Sequence, residues 1–319
     1  MLRALALALA WSIVAGAWAQ PYPSKPIRVF VTIGPGAAGD VLTRMVGEKL
    51  APRLRAPIVI ENRAGAGGNI AADAVAKSAP DGYTLLMASS STHGANVSVY
   101  PKLPFDPIKD FAPIVLVATN PNVLVVPPSL GVNSLAELLA LARQKPGELT
   151  YASGGTGTSM HISGEVLAML GGVKLQHIPF KSTPEAINAA LAGEVSMTFA
   201  SAPTAMSQVK AGRLKALGVT SEKPLSSLPG VAPLAAQGLA GFDVSAWFGL
   251  AAPAGTPEPI IHRLNAETLA VLAMPELREK FVALGMEPLG STPAEFGVFI
   301  RTEIKRLGEV VRASGARVN

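Results

Sequence analysis

Apolar runs of strand length alternate with helical periodicities over nearly the whole chain. Ile27 to Thr32, Ile58 to Ile60, Thr84 to Ala88, Ile114 to Ala118 and Val123 to Val126 are short and rich in β-branched residues, and they read as strands. Between the first two, Val41, Leu42, Met45, Val46, Leu50 and Leu54 fall on one helical face, with Asp40 as the predicted N-cap. Ser134-Leu-Ala-Glu137 is a capping box ahead of a helix running through Lys145. Thr292-Pro-Ala-Glu295 is a second, with proline at the first helical position. Thr183-Pro184 and Thr256-Pro257 start two more helices in the same way. This alternation predicts an α/β fold built on mostly parallel sheets.

The ends and breaks of the pattern suggest its organisation. Met1-Leu2-Arg3 is followed by an apolar stretch, Ala4 to Ala15 apart from Ser12, and then by Ala17-Trp18-Ala19. That is the plan of a signal peptide, cleaved before Gln20. Its sixteen residues from Ala4 to Ala19 fall short of the ~20 that a bilayer core needs. Polar and proline punctuation at Thr119-Asn-Pro-Asn122 and around Gly238 to Gly241 marks two expected crossings between domains. The first domain then comprises 20–121 and 241–319, and the second 122–240. A helix-rich tail from Pro257 to Ala313 is expected to pack back onto the first domain.

Composition narrows the function classes. Of 319 residues, 49% are hydrophobic, with no later stretch long enough to span a membrane, so the apolar content must fill a core; the length suits two domains. Net charge is +5, and +4 once Arg3 has left. Lys210, Arg213 and Lys215 form the densest basic group and lack interleaved aromatics, so nucleic acid is not an expected partner, while anionic ligands are mildly favoured. Absence of cysteine removes disulfides, a thiol nucleophile, thiolate-bound metal and a lipid-anchored cysteine.

The candidate chemistry lies in backbone turns. Gly34-Pro-Gly-Ala-Ala-Gly39, Gly65-Ala-Gly-Gly68 and Ser153-Gly-Gly-Thr-Gly-Thr-Ser159 follow predicted strands, and the first and third open helices. Such turns aim free N–H groups and a helix's positive end at the carboxyl edge of a sheet, where an anion binds. Ser89-Ser90-Ser91-Thr92-His93 adds hydroxyls at another strand end. His161 lies just inside the helix after the third turn; it and His93 can face a cleft, whereas His177 and His262 read as structural or surface residues. No histidine has a metal-like spacing. Gly34, Gly36 and Gly39, with Glu61 further on, formally satisfy a dinucleotide fingerprint. Against that rival, Pro35 stiffens the approach, Asp40 repels a pyrophosphate, and export carries the chain away from the main NAD pool. No nucleophile elbow, H-E-x-x-H pair or phosphate-binding lysine loop is present, so catalysis is unsupported.

With these turns placed, the chain resembles the Bug family, the TctC-like extracytoplasmic receptors of tripartite tricarboxylate transport systems. The resemblance spans essentially the whole mature length. It rests on Tyr22-Pro-Ser-Lys-Pro-Ile27, the Gly34 to Asp40 turn, Glu61-Asn-Arg-Ala-Gly-Ala-Gly-Gly68 and Pro80-Asp-Gly-Tyr-Thr-Leu-Leu86. It continues in Tyr100-Pro-Lys-Leu-Pro-Phe-Asp106, Asp110-Phe-Ala-Pro113, Leu149-Thr-Tyr-Ala-Ser-Gly154, Ser245-Ala-Trp-Phe-Gly249 and Pro253-Ala-Gly-Thr-Pro257. It implies a two-domain periplasmic-binding-protein fold with two chain crossings and a ligand carboxylate held between the domains. No cofactor is implied, and a monomer is expected. The implied partners are a large and a small integral membrane subunit, or a sensor. By position, the ligand residues implied are Pro35, Gly36, Asp40, Ser89, Ser90, Thr92 and His93 from the first domain. The second supplies Gly155, Thr156, Gly157, Thr158, Ser159, His161, Ala200 and Ser201.

Two departures from the family pattern bear on the ligand. Ile33-Gly-Pro-Gly-Ala37 replaces the common Phe-Pro-Pro-Gly-Gly, and Ala200 stands where many relatives have aspartate. An ammonium buried without that carboxylate would cost roughly 3–5 kcal/mol, so simple amino acids are expected to bind worse than plain organic or aromatic acids.

Overall fold

The computed structural model describes residues 22–314, so the signal-peptide segment lies outside the described residues. The strands are β1 (Ile27–Val31), β2 (Ile58–Asn62), β3 (Thr84–Ser89), β4 (Phe111–Val126), β5 (Thr150–Ser153), β6 (Gln176–Pro179), β7 (Met197–Ser201), β8 (Lys215–Val219), β9 (Ser245–Pro253) and β10 (Glu287–Pro288). The helices are α1 (Ala38–Leu54), α2 (Asn69–Ala76), α3 (Asn96–Val99), α4 (Leu135–Gln144), α5 (Ser159–Gly171), α6 (Thr183–Ala192), α7 (Ala202–Lys210), α8 (Glu258–Leu272), α9 (Pro275–Ala283) and α10 (Pro293–Ser314). The strand order is 2-1-3-9-4-7-5-6, with β8 and β10 also pairing on β4. Outer strands are parallel, as predicted: β2, β1 and β3 on one side, and β7, β5 and β6 on the other. The inner strands β9 and β4 are antiparallel to their neighbours; β9 pairs within the first sheet, and β4 pairs in both.

The largest departure from the sequence reading is β4. Two strands broken by Thr119-Asn-Pro-Asn122 were expected; one continuous strand of 16 residues is found. Proline cannot donate to a ladder. Pro121 is tolerated because it sits where the partners change: it makes the last pair with β9, opposite Ser245, and Asn122 makes the first with β7, opposite Ser201.

Capping signals behaved as their chemistry requires. Ser134 Oγ accepts from the Glu137 N–H, and Glu137 reaches back to the Asn133 N–H at 2.7 Å. Thr292 and Glu295 form the reciprocal box, with Glu295 accepting from the Thr292 N–H at 2.8 Å. Three expected starts shift. α1 begins at Ala38 with Ala37 as N-cap, which places Asp40 inside the first turn, α6 is capped by Ser182 one residue earlier than expected, and α8 begins at Glu258 with Pro257 rather than Thr256 as N-cap. The second glycine turn also leads into a helix, α2, through a short 3-10 turn at Ala66–Gly68.

α1 and α8 cover one face of the first sheet, contributing Leu42, Val46 and Leu50, and Ile261 and Leu264, to its core. Asn265 fixes α8 to β4 by donating to the Ile114 carbonyl at 2.8 Å. The C-terminal helix α10 reaches further than expected. Phe296 and Ile300 pack on Leu116 and Trp247 of the first sheet, whereas Leu307 and Val311 belong to the cluster around Leu124 and Phe199 of the second. Gly249 lets α10 settle on β9: a Cβ there would lie 2.3 Å from Phe296 Cζ and 2.8 Å from the Val115 carbonyl oxygen. Gly249→Ala is therefore expected to destabilise the protein by about 1–3 kcal/mol, read as a lower urea midpoint.

Candidate functional site

Three helices point their amino ends at one cavity between the sheets. Its volume is about 490 Å³, counted with the solvent at its mouth. Ala37 and Ala38 of the α1 start, Thr158, Ser159 and Met160 of the α5 start, and Ser182 and Thr183 of the α6 start all line it. First-turn N–H groups have no partner four residues back, so each helix brings donors and partial positive charge to this place. Ser89, Ser90 and Ser91 add hydroxyls, Asn120 and Asn122 form part of the floor, and Ile33, Ala246 and Phe248 supply apolar wall. Among the described residues, no side chain lining the cavity is an acid or a base. An adjoining space shares Ile33, Gly154 and Thr158 and carries Lys181 at its edge.

The two halves meet at glycines. A Cβ on Gly34 would lie 3.2 Å from Ser182 Cβ, one on Gly67 would lie 2.8 Å from the Thr156 carbonyl oxygen, and one on Gly157 would lie 2.2 Å from Asn96 Oδ1. Gly157 also has φ +82°. Here glycine is required twice over, by backbone conformation and by close approach.

Of the residues proposed from the sequence, Ser89, Ser90, Thr158 and Ser159 line the cavity, and Gly155 and Thr156 line the adjoining space. Gly157 lines a small neighbouring cleft together with Ser90 and Ser159 and faces Asn96 across the contact between the halves. Others sit elsewhere. Pro35 and Gly36 are exposed at the outer side of their turn. Asp40 is buried behind it, where its carboxylate accepts from the Gly36 N–H (2.9 Å), Arg44 (2.9 Å) and Asn62 (2.9 Å). Burial alone would raise its pKa, but these bonds outweigh it and hold the carboxyl below the usual range. Asp40 thus braces the turn. It also occupies the Gly36 amide that a dinucleotide pyrophosphate would need.

Thr92 and His93 turn inward. Thr92 Oγ1 lies 3.0 Å from His93 Nδ1, and the ring packs against Phe105 and Phe111. Ala200 is fully buried in the core of the second sheet, opposite Val123, and is not among the residues that line the cavity. Ser201 pairs through its backbone with Asn122. His161 lies beneath the third glycine turn, where its Nδ1 accepts from the Gly157 N–H at 3.1 Å. The ring stacks on His177 with centroids 4.1 Å apart, and His177 Nε2 is 2.6 Å from Ser153 Oγ. His177 is therefore part of the support of this turn. Sequence reasoning missed Asn120 and Asn122, taken as punctuation, and Ser182, whose only sequence signal was its place before a helix.

Among the described residues, no group of three His, Asp or Glu side chains is arranged to hold a metal ion, and no helix is long and apolar enough to cross a membrane.

Residues 42–316 match the family described as "Tripartite tricarboxylate transporter family receptor". The structure is similar to that of the periplasmic binding protein BugD, with TM-score 0.88, 30% identity, and coverage of 93% of this chain and 99% of that one. It is similar to Rpa4515 of R. palustris solved with adipate, with TM-score 0.90, 32% identity, and 93% and 100% coverage. MatC (Rpa3494) from Rhodopseudomonas palustris, solved with bound malate, gives TM-score 0.86 and 33% identity over 91% and 100%. The two-domain periplasmic-binding-protein fold expected from the sequence is the fold of these relatives.

Burial pushes His93 down to about 3 and His161 to about 4; burial, then the neighbouring His161, pushes His177 to about 3. Unfolding returns each ring to about 6.5, so below that pH the unfolded chain binds more protons than the native one. The stability these neutral rings confer is complete above about pH 6.5 and is lost progressively as pH falls through about 4 for His161 and about 3 for His93 and His177. Urea midpoints measured across that interval are expected to fall, and to fall less steeply in His177→Gln.

Proposed function

The chain belongs to the tripartite tricarboxylate transporter receptor family, and on that premise we propose that it captures a small organic carboxylate in the periplasm and delivers it to the membrane subunits of a tripartite transporter. The carrying observation is the convergence of three helix amino ends, from both sides of the cleft, on a cavity whose wall holds no ionised side chain. A carboxylate there gains N–H donors and helix-end potential without having to displace a resident acid. The adipate and malate bound by two relatives support this class of ligand.

Residues 20–121 with 241–319 form one proposed unit and 122–240 the other. The direct ligand set we propose is Ser89, Ser90, Thr158 and Ser159, with Gly155, Thr156 and Gly157 shaping the second unit's turn. A ligand touching both sides favours the closed form because its contacts differ between the two states. The protein acts as a receptor: a wall without a titratable side chain has no acid, base or activated nucleophile to offer. An ammonium has no counter-charge in the wall, so amino acids bind worse than the corresponding organic acids.

Thermal-shift measurements on the ligand-stripped mature protein test this with mono-, di- and tricarboxylates, aromatic acids, amino acids and NAD. A ligand at 100 times its Kd adds ~2.7 kcal/mol, worth several degrees at about 2–4 °C per kcal/mol. A rise with one class of acids is expected; a rise with NAD alone overturns the proposal. The glycines give a second test. Gly157→Ala should weaken acid binding far more than Gly36→Ala, because a Cβ at Gly36 meets nothing closer than Pro184 Cγ at 3.8 Å. Equal effects on the Kd would show that closure does not pass through Gly157.

A further inference from the structure

The space that adjoins the inner cavity is the roomier of the two. Its volume is about 870 Å³ against about 490 Å³, each counted with the solvent at its mouth, and both have Ile33, Gly154 and Thr158 in their walls. An acid that outgrows the inner cavity therefore continues past these residues into an outer chamber. The walls there are of a different kind. Phe180, from the loop after β6, and Tyr100, the residue that ends α3, are half-buried and bring aromatic surface, and residues 64–68 add only glycine and alanine. The Tyr100 hydroxyl has no partner among the described residues, yet it is accessible. Burial raises the pKa of its phenol, so it stays a donor.

One cation stands in this outer wall. Lys181 is exposed, and among the described residues its ammonium has neither an ion-pair nor a hydrogen-bond partner. Glu185, the nearest acid along the chain, is spent on the cap of α6. Ser182 Oγ accepts from the Glu185 N–H at 3.4 Å, and the Glu185 carboxylate accepts from the Lys181 backbone N–H at 3.2 Å. Two arginines beside the glycine turns are also engaged. Arg44 bonds Asp40 and Asn62, and Arg63 pairs with Glu61 at 3.2 Å and lies over the Phe30 ring at 3.8 Å. Among the described residues no acid lines either space, so an anion reaching Lys181 meets no carboxylate in the wall.

We propose that Lys181 is a specificity-determining residue that selects an elongated dicarboxylate: one carboxylate lies at the helix amino ends, the apolar body runs past Ile33 to Phe180 and Tyr100, and the second carboxylate meets the Lys181 ammonium. This rests on the carboxylate reading of the inner cavity and adds to it a recognition point outside. The helix ends bind what every acid shares, and the outer chamber discriminates by length and charge. A short acid leaves the aromatic surfaces wet. A long monoacid covers them but brings no charge to the ammonium. Because Lys181 keeps its water, its attraction is modest and is screened by salt.

The test is calorimetry on the mature protein at neutral pH, where both carboxyl groups of a diacid are ionised. One series is adipate, its monomethyl ester and hexanoate; the other is terephthalate and p-toluate; succinate serves as the short diacid. In at least one series the long diacid is expected to bind about fivefold or more tightly than its matched monoacids and than succinate. Lys181→Met, a change at an exposed side chain, should bring the long diacid within about twofold of its monoacid and leave the monoacid's own Kd within about twofold of wild type. Added salt should narrow the diacid preference of the wild type and leave the variant unchanged. Succinate or the long monoacids binding as tightly as the long diacids in wild type, or a diacid preference that survives in Lys181→Met, overturns the inference and leaves the carboxylate reading standing. Binding of none of the acids overturns both.

Discussion

β4 is paired with β9 along residues 111–121 and with β7 along 122–125, so a single unbroken backbone belongs to both sheets. The rest of the architecture depends on this sharing. With strands of the two sheets meeting at one seam, the carboxyl ends of β1 and β3 on one side and of β5 and β6 on the other lead to the same space. The helices that follow them, α1, α5 and α6, therefore start there. The proposed anion site is thus a product of topology before any side chain is considered, in keeping with ligands binding beyond strand carboxyl ends in open α/β sheets.

Much of this was legible in the sequence because it rests on local chemistry. Capping boxes at Ser134 and Thr292 act within four residues, and the glycine turns declare their backbone requirement directly. What escaped was set by tertiary context. Pro121 reads as a strand breaker in isolation, and only the change of partners at that residue makes it harmless. The same misreading hid Asn120 and Asn122, since polar residues flanking a proline look like a loop. The family resemblance implies Asp40 as a ligand residue by position alone; in the fold, Arg44 and Asn62 converge on it from behind. Ala200 was weighed as a lost ligand contact because its orientation, into the core rather than the cleft, depends on the register with Val123.

The site's electrostatics follow a consistent plan, with charge kept one layer back. Asp40 holds the first turn from behind, and the neutral His161–His177 stack supports the third. Neither presents a formal charge to the cavity. A buried carboxylate in the wall would repel the ligand, whereas a buried lysine or arginine would bind any anion and release it slowly. Helix ends and hydroxyls avoid both outcomes: their fields are strong enough to orient a carboxylate in a space of low polarity, and they carry no net charge that water must compensate when the cleft stands open.

The proposed binding mode puts a further demand on the ligand. A ligand can shift an equilibrium between open and closed forms only by the difference between its affinities for the two. The proposed donors come from both halves, the α1 start and Ser89 to Ser91 from the first and the α5 and α6 starts from the second, so a carboxylate that reaches both gains contacts that neither half supplies alone. Glycine at 67 and 157 is what lets the halves approach this closely, since a Cβ at either position would fall within 3 Å of Thr156 or Asn96.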